Sequence, residues 1–194
     1  MEGEFKVVTV GESGVGKTTL ITRFYNDIFL SDPNSTIGSA LIKCDVAVGD
    51  ECVTLSVWDT AGQEKFHSLL PLYLRNAYAV ILVYDAGITN MDNQVFQLYD
   101  SIKNDLSPGT NIYVCGNKVD LVDPGYSNQS IEEWCITNGH KFFTTSAKTG
   151  LNVNRLFYQI ASDCINKGVN QTETKNTDIV TDIIGAKPHK GACC

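Results

Sequence analysis

Gly11-Glu12-Ser13-Gly14-Val15-Gly16-Lys17-Thr18 follows the run Phe5-Lys6-Val7-Val8-Thr9-Val10 and opens a stretch, Lys17–Tyr25, patterned as a helix. A short β-branched run, a glycine-rich turn and a helix, in that order, predict a strand whose exit loop wraps an anion. In a loop of the form G-x-x-x-x-G-K-T the glycines let backbone N–H groups converge on phosphate oxygens, and the positive end of the helix adds to the attraction. Ser13, Gly14, Val15 and Gly16 are the expected cradle. Lys17 should reach the β- and γ-phosphates, the Thr18 hydroxyl should take a magnesium position, and Thr19 completes the nucleotide-binding set.

Outward from this loop, short β-branched runs alternate with helical patterns, which predicts a mostly parallel sheet flanked by helices. Leu41–Val48 and Cys52–Asp59 read as strands joined by the turn at Gly49-Asp50; so brief a link makes that pair antiparallel and the sheet mixed. Ala79–Asp85, Asn111–Gly116 and Lys141–Thr145 read as three further buried strands. Helices are expected near Asn93–Asn104, Gln129–Asn138 and Leu151–Asn166. From about Lys167 the composition shifts to Asn, Thr, Lys and Asp, so 1–166 is the expected domain and 167–194 an expected disordered tail.

The whole-chain composition agrees with one soluble domain plus a tail. The chain has 194 residues, 43% of them apolar and 19% charged. A net charge of −7 disfavours nucleic acid and anionic membrane surfaces as nonspecific partners. No run approaches the roughly 20 apolar residues that span a bilayer. Met1-Glu2-Gly3-Glu4 carries neither a secretory stretch nor a glycine after the initiator, so neither export nor myristoylation is expected. Without an export signal, Cys44, Cys52, Cys115, Cys135 and Cys164 are expected to be reduced thiols.

The loop says nucleotide; Asn117-Lys118-Val119-Asp120, at the end of a strand, says which one. A carboxylate at Asp120 can accept from both N1–H and the exocyclic amino group of guanine. Adenine would leave it unpaired, and discrimination of that type reaches on the order of 10⁴–10⁵. Ser146-Ala147-Lys148 follows another strand and joins the same expected site. Trp58-Asp59-Thr60-Ala61-Gly62-Gln63-Glu64 supplies the rest. Asp59 could hold magnesium, the Gly62 N–H could sense a γ-phosphate, and Gln63 could orient the attacking water as the catalytic residue.

With these motifs in this order, residues 5–166 resemble the Ras superfamily of small GTPases. Ser35-Thr36-Ile37-Gly38, Trp58–Glu64 with Lys65-Phe66, Tyr73-Leu74-Arg75-Asn76-Ala77 before Tyr84-Asp85, and the terminal Gly191-Ala192-Cys193-Cys194 are similar to a Rab. Ser35-Thr36-Ile37-Gly38-Ser39-Ala40-Leu41, His67-Ser68-Leu69 and Leu151-Asn152-Val153-Asn154 resemble the early-endosomal subgroup. The resemblance implies a P-loop NTPase fold of the Ras-like G-domain type: α/β, six strands, mostly parallel with one antiparallel, and about five helices on both faces. It also implies a GTP/GDP switch with magnesium that hydrolyses GTP slowly and regulates vesicular traffic. Thr36 would be a second magnesium hydroxyl, Phe29 would lie against the guanine ring, the Lys118 stem would cover the base, and the Ala147 N–H would meet its O6.

The partners it implies are an exchange factor, an activating protein, an escort protein, a dissociation inhibitor, and effectors reading the two switches, roughly 31–39 and 61–72. A monomer is expected. The ending is not C-a-a-X; the resemblance implies geranylgeranyl groups on Cys193 and Cys194, and two chains suit a tail without a polybasic patch. The implied location is the cytoplasmic face of intracellular membranes, endosomes first, cycling with the cytosol. Departures from the family are Leu41 in place of an aromatic, Leu74 and Asn76, and an apparent insertion, Ala86-Gly87, which lengthens a loop away from the phosphates. Arg23 is expected to be structural, leaving no arginine for transition-state charge. The alternatives are a soluble or otherwise located small GTPase, a nucleotide-loaded scaffold with negligible hydrolysis, and an adenine-preferring P-loop enzyme, against which Asp120 and Gln63 stand.

Overall fold

The computed structural model describes residues 3–29, 39–60, 62, 69–88, 91–123 and 126–173, with side chains through Lys167. Among these residues six strands form one sheet: β1 Glu4–Val10, β2 Ser39–Val48, β3 Glu51–Thr60, β4 Ala79–Asp85, β5 Asn111–Asn117 and β6 Lys141–Thr144. Their order is β2-β3-β1-β4-β5-β6, with β2 and β3 antiparallel and the other neighbours parallel. The mixed sheet is therefore the one expected, its antiparallel pair closed by the turn at Gly49-Asp50.

The parallel strands are apolar on both sides because both sides are covered. Val7, Ile81, Val83, Tyr113 and Cys115 face a core shared with Leu20 and Ile21 of α1 (Lys17–Asn26) and Phe157, Ile160 and Cys164 of α5 (Val153–Glu173). Their alternates Val8, Val10, Val80, Leu82 and Val114 face a second core. It is completed by α2 (Leu70–Leu74), Met91 and Val95 of α3 (Met91–Ile102), and Ile131 and Cys135 of α4 (Gln129–Thr137). Among the described residues five α-helices thus lie on two faces, two against three.

Three details depart from expectation. The short helix α2 is not among the helical stretches read from the sequence; its five residues include Pro71, which suits a first turn, and are too few to show a helical period. The last helix passes Asn166 and runs to Glu173, so helical backbone enters the stretch expected to be disordered. The buried thiols Cys44, Cys115, Cys135 and Cys164 are free as expected, whereas Cys52 is disulfide-bonded.

Parallel strands place all their C-terminal ends at one edge, where open α/β sheets bind ligands. The turns after β1, β3, β4, β5 and β6 therefore converge: residues 11–16, Gly62, 86–88, 118–121 and 145–150. Chain direction in the sheet divides at β1, between β3 and β4, so the glycine-rich loop sits at the switch point.

Candidate nucleotide-binding site

The phosphate loop owes its path to glycine. Gly14 and Gly16 have φ of 79° and 96°, and Gly16 caps α1 in the left-handed region. A Cβ on Gly16 would also run into the Asn117 amide, so the loop and the base motif touch here. Lys17 is 5% exposed, and its Nζ donates to the carbonyl oxygens of Gly11 and Glu12, each at 2.8 Å. Burial pulls its ammonium down to about 8, against the opposing attraction of Asp59 and Glu12. Val15 and Thr19 are buried beneath the loop, while Ser13 and Gly14 form its exposed rim.

Thr18 donates its hydroxyl to Asp59 Oδ2 at 2.6 Å, joining the first turn of α1 to the end of β3. The parallel register Thr9↔Asp59 brings this about, and Asp59 is 1% exposed. A hydroxyl and a carboxylate side by side are hard oxygen donors of the kind magnesium takes, so these residues fit that ion. Gly62 lies against the loop: a Cβ there would come within 2.5 Å of Glu12 O and Lys17 Nζ. The expected site residues Thr36, Gln63, Cys193 and Cys194 lie outside the described residues.

On the base side one buried side chain ties three loops. Asn117, 1% exposed, donates Nδ2 to Val15 O at 3.0 Å. Its Oδ1 accepts from Ala147 N at 3.1 Å and from Thr145 Oγ1 at 3.2 Å. Asp120 is held by the Ser146 hydroxyl at 2.6 Å and faces Lys148 Nζ at 3.8 Å. Ser146 thus orients a carboxylate, and its own oxygen accepts the Thr149 N–H at 3.0 Å. Lys118 stands in the left-handed region at φ 65°, a conformation unusual for a lysine, at the start of the 3-10 turn Val119–Leu121. Phe29 is 38% exposed just before the boundary of the described residues.

Two contributors were not assigned to the site from sequence. Arg23 on α1 donates Nε to Ala147 O and Nη2 to Lys148 O, both at 2.8 Å, and Nη1 to Asp27 O at 2.9 Å. It is structural, as expected, but what it braces is the expected base-recognition loop. Asp85 ends β4 opposite Asn117 and pairs with Lys118 Nζ at 2.7 Å. The turn beside it, Ala86-Gly87, adjoins the base motif, since Ala86 N donates to Asn117 O at 2.8 Å. Away from the site, Leu41 is 47% exposed in register with Trp58, whose ring lies 5.7 Å from that of Tyr73.

A phosphate loop on the switch point of a parallel sheet, joined to an Asn-Lys-x-Asp turn whose carboxylate faces the same edge, defines a P-loop guanine-nucleotide protein. The Ras family model matches residues 6–166. Ras-related protein Rab-5A of Dictyostelium discoideum is 36% identical over 196 aligned positions, spanning 98% of this chain and 96% of that protein. The chain belongs to the Ras family, and within it is a Rab-like small GTPase of vesicle traffic, similar to the early-endosomal subgroup. As a GTP hydrolase by family, it does not favour the scaffold alternative.

Proposed function

We propose that this edge binds GTP with magnesium and converts it slowly to GDP and phosphate, and that the two nucleotide states switch a protein on endosomal membranes. The observation that carries the reading is the joining of the phosphate loop, the base turn and the Ala147 loop through Asn117. In the proposed assignment the loop N–H groups of Ser13–Lys17 and the Lys17 ammonium hold the phosphates. Thr18 and Asp59 hold the metal, with Thr36. Bound there, magnesium would offset the charge that develops on the phosphate oxygens. Asp120 accepts from guanine N1–H and N2–H, Ala147 donates to O6, and Lys118 and Phe29 flank the ring. Gln63 orients a water toward the γ-phosphorus; the new P–O bond forms as the bond to the β–γ bridging oxygen breaks, and GDP departs.

Residues 1–166 act as the switch domain, and 167–194 carry prenylated Cys193 and Cys194. Leu41, Trp58 and Tyr73 belong to the face that effectors read. Leucine there presents less surface than an aromatic and calls for a matching partner. The regulators are an exchange factor, an activating protein, an escort protein and a dissociation inhibitor. The protein cycles between cytosol and the cytoplasmic face of endosomes as a monomer.

The test is single-turnover phosphate release from full-length protein preloaded with GTP, with magnesium or with chelator. Slow, magnesium-dependent release that drops at least tenfold in Gln63→Leu is expected; equal rates in the two proteins would remove Gln63 from its role. Imaging of tagged protein beside a Cys193→Ser/Cys194→Ser variant tests the anchor. Endosomal puncta that become diffuse in the double variant are expected, and puncta on another organelle would overturn the endosomal assignment.

A further inference from the structure

We infer that Asp85 is a positioning residue for the guanine site, acting through Lys118, and that the Ala86-Gly87 turn sets its carboxylate. The inference rests on the guanine-nucleotide reading above. The register Asp85↔Asn117 puts the last residue of β4 directly beside the base turn. From there Asp85 Oδ2 accepts the Lys118 ammonium at 2.7 Å, with the Asp85 side chain 13% exposed and that of Lys118 32% exposed. The other oxygen, Oδ1, accepts the Gly87 N–H at 2.9 Å. Ala86 N donates to Asn117 O at 2.8 Å and Ile88 N to Asp85 O at 3.3 Å. Both carboxylate oxygens are therefore committed, one to the turn and one to the lysine.

The consequence falls on the lysine stem. Its backbone end is set in the left-handed region at φ 65°. Its far end is set by Asp85. Between the two, Cε passes 4.0 Å from where a Cβ on Gly16 would stand, so the stem runs toward the mouth of the phosphate loop. A lysine otherwise loses much rotamer freedom when it must lie flat against a base. Here that loss is taken before the nucleotide arrives, so the bound state is longer-lived. Gly87 supplies the N–H that holds the carboxylate at the angle the lysine needs.

The experiment is release of mant-GDP, a fluorescent GDP, from full-length protein carrying Asp85→Ala, Lys118→Ala, both, or a deletion of Ala86 and Gly87. Asp85→Ala is expected to release about tenfold faster, a size consistent with a partly buried ion pair plus the freedom of one lysine. The deletion should speed release in the same direction. Asp85→Asn, which keeps an acceptor but drops the charge, should lie between wild type and Asp85→Ala and stands in if the alanine variant folds poorly. In the Lys118→Ala background, Asp85→Ala should add almost nothing, which a merely structural role would not produce. Tyr113→Phe, which loses its bond to Asp163 on the far side of β5, is the control that lowers melting temperature without faster release.

Release from Asp85→Ala at the wild-type rate, or effects of Asp85→Ala and Lys118→Ala that multiply, would overturn the inference alone. Wild-type protein that fails to retain mant-GDP would overturn the guanine-nucleotide reading, and the inference with it.

Discussion

Asn117→Ala separates the phosphate loop from the base turn with one truncation. Three buried hydrogen bonds disappear, those to Val15 O at 3.0 Å, from Ala147 N at 3.1 Å and from Thr145 Oγ1 at 3.2 Å. Each bond is worth about 0.5–1.5 kcal/mol net, and a stranded buried partner costs about 1–3 kcal/mol. Water entering the space left by the side chain would recover part of this. A total of about 3 kcal/mol is therefore expected, and it falls on the assembly of the loops that hold nucleotide. At 1.4 kcal/mol per decade, GDP affinity should fall roughly 100- to 200-fold. The assay is equilibrium titration with mant-GDP, run beside thermal melting of the nucleotide-free protein. If affinity drops less than about fivefold, Asn117 is not the clasp between the loops, whatever happens to melting.

Other outcomes follow from single positions. Gly16→Ala should abolish nucleotide retention in the same titration, because φ is 96° and the new Cβ would displace the Asn117 amide. Phe157→Ala removes a ring fully buried and stacked on Phe24 at 4.1 Å. It should cost about 3–5 kcal/mol and on the order of 10 °C in melting temperature by calorimetry. His140 packs between Tyr99 and Trp134 with Nε2 buried and without a hydrogen-bond partner among the described residues, and burial holds its pKa below the ordinary 6.5. In that window the unfolded chain binds the proton and the folded chain does not, so stability falls as pH drops below about 6.5. Melting temperature of His140→Phe should decline less than wild type between pH 7 and pH 5.5. An equal decline would assign the acid sensitivity elsewhere. Thr18→Ala breaks the contact with Asp59 and should make GDP release nearly insensitive to chelator, whereas chelator should speed release from wild type.

Legibility followed the range of the forces involved. Central strands could be read because both faces are buried: Val7 and Val8, or Ile81 and Leu82, point into different cores, so the run stays apolar. The glycine loop could be read because its φ values admit few other residues. Helix α2 could not, being a single turn of Leu70–Leu74. The end of α5 was set too early because 167–173 is polar and lacks the apolar stripe that marks a packed helix. Arg23 was legible as structural but not as a brace of the Ala147 loop, since its two carbonyl partners there lie 124 and 125 residues away. Asp85 and the turn after it reach the site through sheet register, which no local pattern records.

These contacts also decide how substitutions at the site should combine. Asn117 bonds the phosphate loop and the Ala147 loop. Arg23 bonds that same loop and the C-cap of α1. Asp85 bonds the lysine that follows Asn117. Each brace thus shares a loop or a neighbour with Asn117, and loosening one releases partners that the others were holding. Losses at Asn117 and Arg23 should therefore sum to less than their separate effects, because the second cut finds the Ala147 loop already displaced. The Thr18–Asp59 contact joins α1 to β3 with no member in common with them, so Thr18→Ala should add nearly in full to either. The base side is one unit and the metal side another, linked by Asn117, which bonds Val15 O and lies against Gly16.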